Sequence, residues 1–153
     1  MDRKFGLAKK RQKPLADEHH ILRHIPRKDL IRDDPDDPEA VTGISPWAFQ
    51  MRSDEDSLSA AWPEFFDLPD HTARVAAAKA DFGTVMKVRP SHRFALGNVG
   101  AIRAACKSRG QGVRISHEPA DFDSHASIRQ INTDDLELLG LLALDAWSEL
   151  HKP

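Results

Sequence analysis

Residues 92–127 read HRFALGNVGAIRAACKSRGQGVRISHEPADFDSHAS, and their order is strand, helix, strand, loop. Arg93 to Leu96 is a short apolar run with room for one strand. Asn98 can cap a helix, because its side-chain oxygen accepts from an unpaired N–H of the first turn. Val99, Ile102, Ala105 and Cys106 then share one helical face. Lys107 and Arg109 suit the negative end of the helix dipole, and Gly110 is the expected stop. Val113 and Ile115 alternate with Arg114 and Ser116, the period of a half-buried strand. Pro119 cannot donate to a ladder, so that strand ends by Glu118. The stretch predicts a β-α-β unit around residues 93–117. If its second strand runs parallel to its neighbours, His117 and Glu118 fall at a carboxyl edge, where open α/β sheets hold ligands.

Downstream, Ala126 to Ile131 is expected to add an edge strand with Ile128 in the core. Asn132 or Thr133 is expected to cap a last helix, with Asp134, Asp135 and Glu137 in its first turn. Leu139, Leu142, Ala143, Ala146 and Leu150 draw its apolar stripe, predicting a packed C-terminal helix over residues 134–151. Leu138, Leu141 and Trp147 widen that stripe, which points to packing on two sides or on a second chain. A homo-oligomer or protein partner through residues 134–151 follows as an expectation.

Upstream, Asp70 to Asp81 is an alanine-rich helix by propensity, closed at Gly83. Val85 to Val88 reads as a strand, with Val85, Phe94 and Val113 expected as neighbours in one small sheet. Leu58, Ala61, Trp62, Phe65 and Phe66 fall on a helical stripe that Pro63 interrupts, with an extended Leu58–Trp62 as the alternative. Ser45 and Pro46 start a single turn that carries Trp47 or Phe49 into the core. Asp33 to Glu39 holds five carboxylates and two prolines, a solvated loop without the ligand pattern of a calcium site. His19 to Pro26 reads as a short strand with Ile21, Arg23 and Ile25 on one face and Leu22 and His24 on the other. In a helix His20 and His24 would share a face and could chelate a metal, but the Glu of H-E-x-x-H is missing. Residues 1–18 read as a basic, mobile N-terminal arm, able at most to touch phosphates. Residues 19–153 read as a single globular domain of α+β or α/β class with a small mixed sheet.

The chain has 153 residues, enough for one domain, and a net charge of −2 exerts no global pull on nucleic acid or anionic membrane. A single cysteine, Cys106, excludes an internal disulfide and fits a reducing compartment. No apolar run approaches the ~18 residues of a membrane span, and no secretory leader is legible. The expected location is the cytoplasm, with no membrane partner.

The chemistry rests on histidine. His117, His125 and His24 sit at strand or loop ends beside polar neighbours, and paired imidazoles can pass protons in phosphoester cleavage. Arg23, Arg93 or Arg114 could hold the phosphate, and Asn98 sits at a turn that offers N–H groups to an anion. These residues define an expectation of a small enzyme acting on a nucleotide, RNA or another phosphate-bearing molecule. Two other readings stand beside it. One is a non-catalytic interaction subunit that uses the last helix. The other is a metal-binding structural or regulatory domain with His117, Glu118 and His125 as ligands. G-x-G-x-x-G, Walker, G-x-S-x-G and C-x-x-C motifs are all absent.

Overall fold

Strand β2 (His20–Ile25) sorts its side chains by parity, with Ile21 and Ile25 packed into one core cluster and Leu22 into another. In the computed structural model, which describes residues 12–153, this strand lies near the middle of a seven-stranded sheet. The chain also forms β1 (Lys13–Pro14), β3 (Leu30–Ile31), β4 (Gly43–Ile44), β5 (Ser57–Ala61) and helix α1 (His71–Phe82). There follow β6 (Arg93–Asn98), α2 (Val99–Ser108), β7 (Arg114–His117), β8 (His125–Arg129), α3 (Leu136–Leu141) and β9 (Glu149–His151). The main sheet runs β1-β7-β8-β5-β2-β6-β9, and every pairing in it is antiparallel. Strands β3 and β4 pair separately.

Two layers cover the sheet. Helix α1 brings Val75 and Ala78 onto Leu22, Ala61, Phe94 and Leu96. Helices α2 and α3 cover the other face, where Ile21, Leu58, Ile115 and Ile128 meet Ile102, Leu138, Leu139 and Trp147. The fold is a single compact α+β domain. Among the described residues, no helix is long and apolar enough to cross a membrane.

The strand–helix–strand order over residues 93–117 is present, with Asn98 Oδ1 accepting from the Ala101 N–H at 2.9 Å as cap. Its two strands are not sheet neighbours, because β2, β5 and β8 lie between them. Strand β7 is antiparallel to both β1 and β8, so the argument from a parallel carboxyl edge does not apply to His117. Strand β8 is interior, held between β7 and β5.

Residues 57–61 are extended, as the alternative had it: Leu58 and Ala60 pack on one face while Ser59 is exposed on the other. Pro63 confines the helical turn to Pro63–Phe65. Val85 to Val88 form no strand; Val85 and Met86 are exposed in the connection from α1 to β6. Asp135, not Asn132 or Thr133, caps α3 by accepting from the Leu138 N–H. Thr133 is buried and its hydroxyl accepts from the Met51 N–H at 3.0 Å instead.

The C-terminal helix packs through Leu138, Leu139, Leu142 and Ala143, but ends before residue 151. It widens into a π-type turn over Leu142–Ala146, and Glu149–His151 form β9 against β6. Trp147 sets this ending. Its ring is fully buried, its Nε1–H donates to the Ala95 carbonyl at 3.0 Å, and it rests on Gly97, where a side chain would collide with it. At the other terminus, residues 1–11 of the expected basic arm lie outside the described residues. From Lys13 the chain belongs to the sheet: Lys13 and Pro14 pair with β7 and Leu15 is buried.

One junction interrupts the regular ladder of the sheet. Strands β2 and β5 meet through a single residue pair, Leu22 with Ala61. On one side of that pair the turn at Pro46–Phe49 wedges in, and Arg23 spans the gap, donating from Nε to the Ala48 carbonyl at 3.0 Å and from Nη1 to the Ser59 carbonyl at 2.9 Å. On the other side Pro63 ends the strand, and the Glu64 carboxylate accepts the His20 backbone N–H at 2.8 Å. Side chains thus replace ladder bonds at both ends of the junction.

Candidate functional site

Where β2 and β5 part, a cleft of about 680 Å³ opens, lined by Arg23, His24, Asp29, Arg52, Glu55, Ser59, Asp121 and His125 among others. His125 opens β8 on the α1 face of the sheet, and its Nδ1 lies 2.7 Å from the Glu118 carbonyl oxygen. A carbonyl only accepts, so Nδ1 carries the proton in the neutral ring. The Nε2 lone pair therefore meets the exposed Ser59 hydroxyl, at 2.6 Å. Base, hydroxyl and an orienting acceptor stand in line, the arrangement that nucleophilic hydroxyl catalysis requires.

The loop that supplies the acceptor is itself fastened. The Glu118 carboxylate takes two bonds from Arg129 at 2.9 Å and a further short one from the Ser127 hydroxyl. The bond from Arg129 holds the Glu118 carboxyl below its usual range, with the Ser127 hydroxyl helping against burial. Asp81 of α1 receives both the backbone N–H and the hydroxyl of Ser124.

His24 faces the same cleft, stacked on Phe82 with ring centroids 5.2 Å apart. His92 Nδ1 accepts from the Arg89 N–H at 3.3 Å, so the His24 Nε2–H is the donor across their 2.8 Å contact. Burial, with His92 and Arg23 adding to it, pulls the His24 pKa down to about 4. At neutral pH this ring is uncharged and cannot act as a general acid. Arg23 loses so much solvent that its own pKa falls to about 10, against the pull of Glu55 and Asp29. The two carbonyl bonds engage two of the five N–H donors of its guanidinium. A poorly solvated cation beside a cleft favours an anionic ligand.

The remaining sequence candidates lie elsewhere. His117 pairs across the ladder with Ala126 and so points to the opposite face from His125. Its Nε2 meets the Asp123 carbonyl at 2.7 Å, and its ring lies between Trp62 and Phe65, with centroids 5.0 and 5.2 Å away. His117, Glu118 and His125 therefore do not converge as metal ligands, and the Glu118 carboxylate is committed to Arg129 and Ser127. Arg93 donates to the Pro90 and His92 carbonyls, Arg114 stands exposed on β7, and Asn98 spends its carboxamide on the helix cap and the Asp17 carbonyl.

A second group collects at the opposite end of α1: His20, Glu64 and His71 each present a ligand atom, all within 4.8 Å of one another. His20 opens β2, Glu64 sits on the turn after β5, and His71 is the first residue of α1. The alternation of Leu58, Ser59 and Ala60 is the one signal in the sequence that would have exposed Ser59, and a helical reading of that segment hides it. Nothing in the sequence joins Glu64 to His20. No protein family, curated protein or solved structure matches the chain.

Proposed function

We propose that the chain is a small histidine-dependent enzyme that cleaves a phosphate-bearing substrate, a nucleotide or RNA, by acid–base catalysis in the cleft between β2 and β5. The reading rests on one observation, the His125 ring held between the Glu118 carbonyl and the Ser59 hydroxyl. In this mechanism His125 Nε2 takes the Ser59 proton as the Ser59 oxygen attacks phosphorus, then returns it to the departing oxygen. Water repeats the cycle to release the phosphoryl group, with His125 again as base. Arg23 supplies positive charge toward the phosphate, and His24 contributes a neutral wall. A cytoplasmic setting belongs to the same reading, since Cys106 is buried and its thiol is pushed up to about 11 by burial, a form that stays protonated.

The test is turnover of bis(p-nitrophenyl) phosphate, nucleotides and RNA. Activity should fall roughly 10²- to 10⁴-fold in His125→Gln and in Ser59→Ala, while His117→Ala retains it. No turnover of any substrate by the wild type, or unchanged turnover in His125→Gln, overturns the reading.

A second reading, a subunit that pairs with another copy of itself through α3 and the turn after it, is favoured by Leu136, Leu141 and Leu144, which remain 59%, 38% and 81% exposed. Leu139 and Leu142 face the core and take no part. Light scattering should show a dimer that Leu136→Lys with Leu144→Lys converts to a folded monomer; a monomeric wild type ends this reading.

A further inference from the structure

We propose that His20, Glu64 and His71 form a binding site for a zinc-class divalent cation, separate from the cleft and independent of the activity assigned to it. The donor set is two imidazoles and one carboxylate, which suits zinc and its transition-metal neighbours rather than calcium or magnesium, whose ligands are oxygens. Two of the three donors are already positioned. His20 Nδ1 lies 2.8 Å from Glu64 Oε2, and the His20 backbone N–H fixes the other carboxylate oxygen, also at 2.8 Å. The His71 ring stands with its centroid 4.9 Å from that of His20.

Bonds of about 2.0–2.2 Å around a tetrahedral ion put ligand atoms roughly 3.5 Å apart. Taking up the ion releases the proton held between His20 Nδ1 and Glu64 Oε2 and parts that pair from 2.8 Å, while rotation of His71, exposed at the helix start, closes the wider gaps of up to 4.8 Å. An imidazole–carboxylate hydrogen bond alone accounts for His20 and Glu64 but not for the third ring.

A second observation concerns Arg74, one turn along α1, which lines the same depression with Glu18 and His19. Its Nε is buried with no hydrogen-bond partner. A buried donor without an acceptor is costly, and a water or anion carried on the open side of a bound ion would supply one. Three protein ligands leave such a position free in a tetrahedral shell.

Untagged protein, stripped with a chelator and titrated with zinc in a calorimeter, should take up the metal stoichiometrically, and cobalt in its place should give the visible absorption of a low-symmetry site. His71→Ala, whose fold is checked by circular dichroism, should weaken uptake at least tenfold. Glu64→Gln should do the same, whereas His117→Ala should not. Zinc should also raise the thermal midpoint of the wild type and leave that of His71→Ala unmoved. Absence of stoichiometric uptake by the wild type, or uptake undiminished in His71→Ala, overturns the assignment.

Discussion

His24 ties stability to pH at a single side chain. Its pKa falls from an ordinary 6.5 to about 4 in the folded chain, so between those values the unfolded state binds more protons than the folded one. The stabilisation it represents is present above pH 6.5 and is lost as pH falls toward 4. Glu118 acts in a lower window: its carboxyl is depressed by Arg129, so its contribution persists until pH drops below the ordinary carboxylate range. Urea unfolding followed from pH 7 down to pH 4 should show a decline that is flatter in His24→Gln; parallel curves for the two proteins would remove His24 as the cause. Parity at this scale was readable in advance. His117 follows Val113 and Ile115 at two-residue steps, which assigns it to the apolar face, while His125 shares its register with Ser127 and Arg129. What no spacing conveys is which carbonyl fixes a ring's tautomer, because the Glu118–His125 contact depends on a loop closing between two strands.

Among the elements, β6 and the turn that follows α3 meet so closely that Gly97 has no room for a side chain. A methyl group placed on Gly97 would lie 2.5 Å from Trp147 Cδ1 and 2.9 Å from Ile102 Cδ1. Gly97→Ala is therefore expected to lower stability by about 1–3 kcal/mol, measured as a shift of the denaturation midpoint; an unshifted midpoint would mean that the indole moves aside freely. Helices α1 and α2 were legible because their caps, Asp70 and Asn98, and the glycines that follow them, Gly83 and Gly110, are local signals. Strand β9 was not, since residues 149–151 continue a helical stripe and take strand form only because Trp147 is drawn under β6. Strand β5 was misread in favour of a helix for a similar reason, its small residues fitting either period until Pro63 and the pairing with β8 decide between them.

For the whole molecule, the class was legible and the assembly was not. Alternating strands and three helical stripes imply α+β, but strand order depends on long-range pairing such as β1 with β7, a hundred residues apart in sequence. The meeting of β2 and β5 at Leu22 and Ala61 gives the domain a natural crease. Two half-sheets, one of four strands and one of three, meet at that crease with α1 laid along it, His71 over His20 and Phe82 over His24. Both proposed sites occupy its ends, where side chains stand in for missing rungs. A single helix therefore lends a wall to each, and breaking it should damage both together.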